Sequence, residues 1–95
     1  MPAYVTATVS VKDPSKLQAY LTALPATLAP FGGKPVCRGK VSKALHGEAK
    51  YQILAVFSFA DTTTAEAWYQ SDAYQALIPN RDEALGGEIL VLEGP

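Results

Sequence analysis

Between Tyr4 and Val11 the chain alternates strictly, with Val5, Ala7, Val9 and Val11 on one side and Tyr4, Thr6, Thr8 and Ser10 on the other. A period of two belongs to an extended backbone, so residues 3–11 are predicted to form a strand with one apolar and one mixed face. The period then changes. Leu17, Tyr20, Leu21, Leu24, Leu28 and Phe31 recur at i, i+3, i+4, i+7, i+11 and i+14, the stripe of an amphipathic helix that buries one side. Asp13 stands where an N-cap is needed, and Pro14 takes the first helical position, where its missing N–H removes no bond. Pro25 falls inside the stripe. An interior proline lacks a donor and crowds the carbonyl four residues back, so a kink or a break into two pieces is expected near residues 21–25. Gly32-Gly33 supplies the left-handed residue that ends the helix.

Residues 34–41 are predicted to form a second, weaker strand that starts late or lies at an edge, because Pro35 cannot donate to a ladder. The polar stretch SKALHGEAK over residues 42–50 reads as the loop of a hairpin leading into a third strand at 51–59. There Ile53, Leu54, Ala55, Val56, Phe57 and Phe59 make a nearly unbroken apolar run, the mark of a central strand apolar on both faces. Asp61 and the threonines after it offer oxygens to the free amides of a helix start, and Ala65, Trp68 and Tyr69 lay one face back on that strand. Ser71-Asp72 looks like a fresh N-cap for a short helical segment through Leu77 that Pro79 stops, with a further turn over Asn80 to Leu85. A fourth strand, again apolar on both faces, is predicted over 88–93.

Strand, helix, strand, strand, helix, strand in 95 residues is the split βαβ order of a ferredoxin-like α+β sandwich, a four-stranded antiparallel sheet with both helices on one side. Two helices cover one face only. The second apolar face then needs a lid, and a homodimer joined through that sheet face is the expected one.

Composition narrows the classes. A hydrophobic share of 48% suits one domain over residues 1–95 with one core. A net charge of −1 provides no sequence-wide attraction for nucleic acid or anionic lipid. There is no 18-residue apolar stretch and no basic, apolar leader pattern at Met1-Pro2-Ala3-Tyr4, so the expectation is a cytoplasmic protein with no membrane partner. Cys37 and His46 are the only residues of their kinds, which excludes an intramolecular disulfide and a metal site built from several Cys and His ligands of one chain. A carboxylate site or a haem on the single His are the metal routes left; no metal and no cofactor is assigned.

Several residues carry candidate chemistry. Arg38 sits mid-strand, where an inward charge needs a partner: an anionic ligand, or a carboxylate such as Glu93 or one from a second chain. Trp68 is expected in the core, whereas the phenols of Tyr69 and Tyr74 are expected to be more open and able to cap a pocket, one of them satisfying a hydrogen bond at the subunit edge. Arg81 is expected to cap the carbonyls that end the short helix. His46, in a polar loop with a glycine, is expected to be solvated rather than a proton shuttle or haem ligand, and Cys37 a small buried hydrophobe. Lys34, Arg38, Lys40, Lys43 and Lys50, opposed only by Glu48, form a patch that could attract a small anion but is expected first to be a solvated basic hairpin, and no aromatic residues interleave within it as a single-strand binder would require. The predicted pocket lies between the sheet, the helix carrying Tyr69 and the segment from Ser71 to Arg81, with Arg38, Tyr69, Tyr74, Arg81 and His46 as its polar residues.

MPAYV at the start, the FGGK that ends the first helix, Arg38-Gly39, A-x-x-W-Y-x-S-x-x-Y-Q over 65–75, Arg81 and the final ILVLEG together resemble the family of domains of unknown function numbered 1330. The resemblance spans nearly the whole chain and implies a dimeric α+β barrel, in which two ferredoxin-like protomers pack sheet against sheet; it implies no reaction. The chain departs from that family's pattern at Ser58, where an acidic residue is frequent, and at Lys40, which replaces the second glycine of an R-G-G. The function expected is binding or conversion of a small anionic or aromatic molecule between sheet and helices. A non-catalytic ligand-binding or structural dimer is one alternative, and a cofactor-independent monooxygenase or isomerase, by analogy of fold alone, is another.

Overall fold

The computed structural model describes residues 2–94. Its elements run β1 (Ala3–Val11), α1 (Pro14–Leu28), a 3-10 turn (Ala29–Phe31), β2 (Lys34–Lys40), β3 (Ile53–Phe59), α2 (Thr62–Gln70), α3 (Asp72–Gln75), α4 (Ile78–Ala84) and β4 (Leu85–Glu93). The four strands form one sheet in the order β2-β3-β1-β4, and each adjacent pair is antiparallel. This is the ferredoxin-like α+β arrangement that the order of elements predicts.

The helix starts follow from their side chains. Asp13 Oδ1 accepts from the amides of Ser15 and Lys16, which holds its carboxyl below the usual carboxylate range, the Ser15 hydroxyl adding the largest share. Asp61 does the same for Thr64, and Ser71 Oγ for Tyr74. Two prolines behave differently from expectation. Helix α1 runs through Pro25 without a break: the ring is exposed, and Leu24 and Leu28 on either side are held in the core, so packing outweighs the one ladder bond that proline forfeits. Pro79 does not stop a helix but stands in the first turn of α4, where no donor is called for. Strand β4 starts at Leu85, earlier than expected, because Gly86 and Gly87 pair with Ser10 and Val9 instead of forming a turn.

All helices pack on the odd-numbered face of β1. Ala3 and Val5 of β1 and Phe59 of β3 meet Tyr20, Leu24 and Leu28 of α1, Ala65 and Trp68 of α2 and Tyr74 of α3 in one buried cluster. Trp68 lies at its centre, 2% exposed. Its Nε1–H donates to Thr27 Oγ1 at 3.0 Å, and Thr27 donates in turn to the carbonyl of Leu24 at 2.7 Å, so the indole is buried without an unpaired donor.

The even-numbered face is bare. Thr6 lies between Val56 and Leu90, Tyr4 between Ser58 and Leu92, and Thr8 between Leu54 and Glu88. Leu54 on β3 and Leu90 and Leu92 on the edge strand β4 are 38%, 49% and 48% exposed, a cluster of large apolar side chains on one sheet face that nothing in the subunit covers. Among the described residues no helix is long and apolar enough to cross a membrane.

Candidate functional site

Two hollows lie on the helix side of the sheet. The larger is a cleft of about 750 Å3 between α1 and the strands β1, β3 and β2. Its roof is the apolar stripe of α1, including Leu17, Tyr20, Leu21 and Leu24. Its floor is low for a simple reason: Ala7 and Ala55, both lining it, pair with each other across the central strands, so two methyl groups stand where larger side chains would reach α1. Its outer wall is the edge strand β2, exposed along its whole length.

Arg38 pairs with Ala55 and Lys40 with Ile53. Because Ala55 and Ile53 line the cleft, the register turns both cationic side chains to the same side, and both are among its lining residues. Among the described residues neither has a carboxylate within ion-pair distance. Glu93, the expected partner, ends β4, the edge strand opposite β2, and is separated from Arg38 by the width of the sheet. Cys37 is exposed rather than buried, because its strand is an edge without cover.

Tyr69, Tyr74 and Arg81 come together elsewhere. Arg81 Nη1 donates to Tyr69 Oη at 3.0 Å and to Tyr74 Oη at 3.2 Å, while Nε and Nη2 donate to Asp82 Oδ1 at 3.3 and 3.1 Å. The guanidinium carbon stands 5.8 Å from the centroid of the Tyr69 ring, within the range of a cation–π contact. Burial works against the charge on Arg81, but the hydrogen bonds to Tyr69 and Tyr74 outweigh it and raise its pKa above the ordinary value. Arg81 is thus not a cap after a helix; it lies inside α4 and ties that helix to α2 and α3. Tyr74 is fully buried rather than open, with its ring centroid 4.5 Å from that of Trp68 and 5.0 Å from that of Tyr69. Tyr69 remains half-buried and, with Lys12, Arg81, Asp82, Gly86 and Gly87, borders the second hollow, a polar recess of about 360 Å3.

The five sequence-derived candidates therefore divide. Tyr69, Tyr74 and Arg81 form one hydrogen-bonded group, Arg38 faces the separate cleft, and His46 lies in the exposed connection between β2 and β3, lining neither hollow. No group of three or more His, Cys, Asp or Glu side chains converges among the described residues.

Tyr20 joins the two halves. Its hydroxyl lies 2.9 Å from that of Tyr74, and its side chain lines the cleft. Burial, reinforced by the neighbouring Tyr74, raises its phenol well above the ordinary pKa, so it stays protonated. The sequence conceals this residue, because a tyrosine in phase with four leucines of a helix stripe reads as core.

The family model of a domain of unknown function, DUF1330, matches residues 2–95. The chain belongs to this family. No curated protein matches it. Among solved structures, this DUF1330 chain is similar to a protein of unknown function from Rhodopseudomonas palustris, at 15% identity and a TM-score of 0.82 over 99% of this chain and 82% of that one. It is also similar to a dimeric ferredoxin-like protein of unknown function from Jannaschia sp. CCS1, at 14% identity and a TM-score of 0.70, over 99% and 100% of the two chains. SnoaB, a cofactor-independent oxygenase from Streptomyces nogalater, gives a TM-score of 0.70 at 8% identity over 99% and 93%. At such identities the likeness is one of fold.

Proposed function

We propose that this DUF1330 chain is a homodimeric binding protein for a small, flat, largely apolar molecule that carries an acidic group, held in the α1 cleft of each subunit. The observation that carries the reading is the cleft itself: about 750 Å3 of mostly apolar lining, with the unpaired cations Arg38 and Lys40 on one wall. A concave apolar hollow with a few polar groups at its border is what a ligand site requires, because the apolar body supplies the affinity and the charges supply the orientation. Arg38 suits a carboxylate better than a point charge would, since its planar fork can donate twice. The dimer is read as face to face, with the bare side of the sheet as interface, which leaves both clefts on the outside of the sheet pair.

A melting-temperature screen against aromatic and aliphatic carboxylates tests this directly, because a ligand that binds only the folded state raises its apparent stability. We take 2-naphthoate as the probe and 2-ethylnaphthalene as its uncharged counterpart. Arg38→Ala is expected to weaken 2-naphthoate by about 5- to 10-fold, the effect of a charge-assisted hydrogen bond discounted for solvent at the cleft mouth, and to leave 2-ethylnaphthalene unchanged. Equal weakening of both, or binding of neither by the wild-type protein, would contradict the reading.

A further inference from the structure

The hydroxyls of Tyr20 and Tyr74 carry two hydrogens, and the bond between them uses one. Arg81 Nη1 donates to Tyr74 Oη, so the guanidinium takes up a lone pair there and accepts nothing. Among the described residues no other acceptor lies within hydrogen-bond distance of either phenol. One phenolic O–H is therefore left without an acceptor, and its position follows from which of the two side chains borders the cleft. If Tyr20 donated to Tyr74, the spare hydrogen would sit on Tyr74, which is 0% exposed, and a buried unmet donor costs about 1–3 kcal/mol. If Tyr74 donates to Tyr20, the spare hydrogen sits on Tyr20, itself only 7% exposed but among the residues that line the cleft, where a ligand oxygen that reaches it can take it. The second arrangement also runs with the polarisation: a hydroxyl that accepts from a cation is the stronger donor onward.

Resting on the cleft reading above, we propose that Tyr20 is the inner anchor of the cleft. Its hydroxyl, the last link of a donor chain running from Arg81 through Tyr74, binds a carbonyl-type oxygen on the body of the ligand. The ligand class narrows accordingly to flat apolar molecules with an oxygen acceptor inside the ring system or beside it, in addition to the acidic group that Arg38 receives at the rim. Tyr20 would touch the ligand. Tyr74 and Arg81 are positioning residues that act through it.

The test uses neutral probes, so that no ion pair with Arg38 forms. The affinities of 2-acetylnaphthalene and 2-ethylnaphthalene, a ketone and its oxygen-free counterpart, are measured by calorimetry on the wild-type protein, Tyr20→Phe, Tyr74→Phe and Arg38→Ala. Tyr20→Phe keeps the ring in the core and removes the hydroxyl. It is expected to lower the preference for the ketone over the hydrocarbon by about 5- to 10-fold, the effect of one hydrogen bond. Tyr74→Phe, which leaves Tyr20 in place but cuts it off from Arg81, should lower the preference less, and a loss of preference in Arg38→Ala larger than that in Tyr20→Phe would place the ketone at the rim and overturn the inference. The infrared carbonyl stretch of the bound ketone gives a readout that packing alone would not move: it should lie at lower frequency in the wild-type protein than in Tyr20→Phe. An unchanged ketone preference and an unchanged stretch in Tyr20→Phe, with the hydrocarbon still bound, would overturn this inference and spare the cleft reading. Binding of neither neutral probe to the wild-type protein would overturn this inference, and failure of 2-naphthoate to bind as well would overturn the cleft reading too.

Discussion

Leu90→Arg is expected to halve the mass of this protein in solution, from twice the chain's 10.1 kDa to 10.1 kDa, while leaving its helical content unchanged. Leu90 pairs with Thr6 on the face opposite the buried cluster, and it is half exposed in the single chain, so the arginine displaces nothing inside a subunit. In a face-to-face dimer it would be carried into the interface in both partners. Stable interfaces remove about 800 Å2 from each partner, and at roughly 25 cal/mol per Å2 of apolar surface the gross gain exceeds the association cost of about 4–15 kcal/mol. An unpaired charge buried on each side removes on the order of 3–5 kcal/mol apiece, enough to weaken association by at least about 1000-fold. Analytical ultracentrifugation at micromolar concentration checks this. A wild-type mass of one chain, or a Leu90→Arg mass of two, would refute the assembly.

Gly87→Ala is expected to be the most damaging small substitution in the molecule. Gly87 sits in β4 opposite Val9 at a φ of +151°, a conformation that side chains of L-residues rarely adopt. A Cβ added there would lie 2.0 Å from the carbonyl oxygen of Thr8 and 2.8 Å from Cα of Val9, and both belong to the backbone of a central strand that cannot move aside. Strain and clash together predict a loss of about 3 kcal/mol or more, which for a domain of this size lowers the melting temperature by more than about 10 °C. Gly39→Ala is the control, because a Cβ there meets open space. Thermal unfolding followed by circular dichroism compares the two variants; equal stability would contradict the close approach of β4 to β1.

The architecture was legible because it follows from local rules. The alternation over Tyr4 to Val11, the stripe from Leu17 to Phe31 and the capping oxygens of Asp13, Asp61 and Ser71 each act within a few residues of themselves. Where expectation failed, a distant contact decided. Pro25 stays helical because Leu24 and Leu28 are anchored in the core. Gly86-Gly87 looks like a turn until β1 is present to pair with it. The site shows the same division. Five residues were expected around one pocket, yet Arg38 is on the β2 edge while Tyr69 and Arg81 approach the β4 side, a separation set by strand order rather than by spacing along the chain. Tyr20 bridges that separation, and nothing in its own neighbourhood along the chain marks it apart from the leucines beside it.

A flat apolar acid held in the α1 cleft would show itself when isotopically labelled protein is titrated with 2-naphthoate and each backbone amide is followed by NMR. Saturable shifts are expected to concentrate at Leu17, Leu24, Arg38 and Ala55, which line the cleft. Shifts confined to Lys12, Gly86 and Gly87 around the polar recess, or no saturable shifts at all, would contradict binding in the cleft.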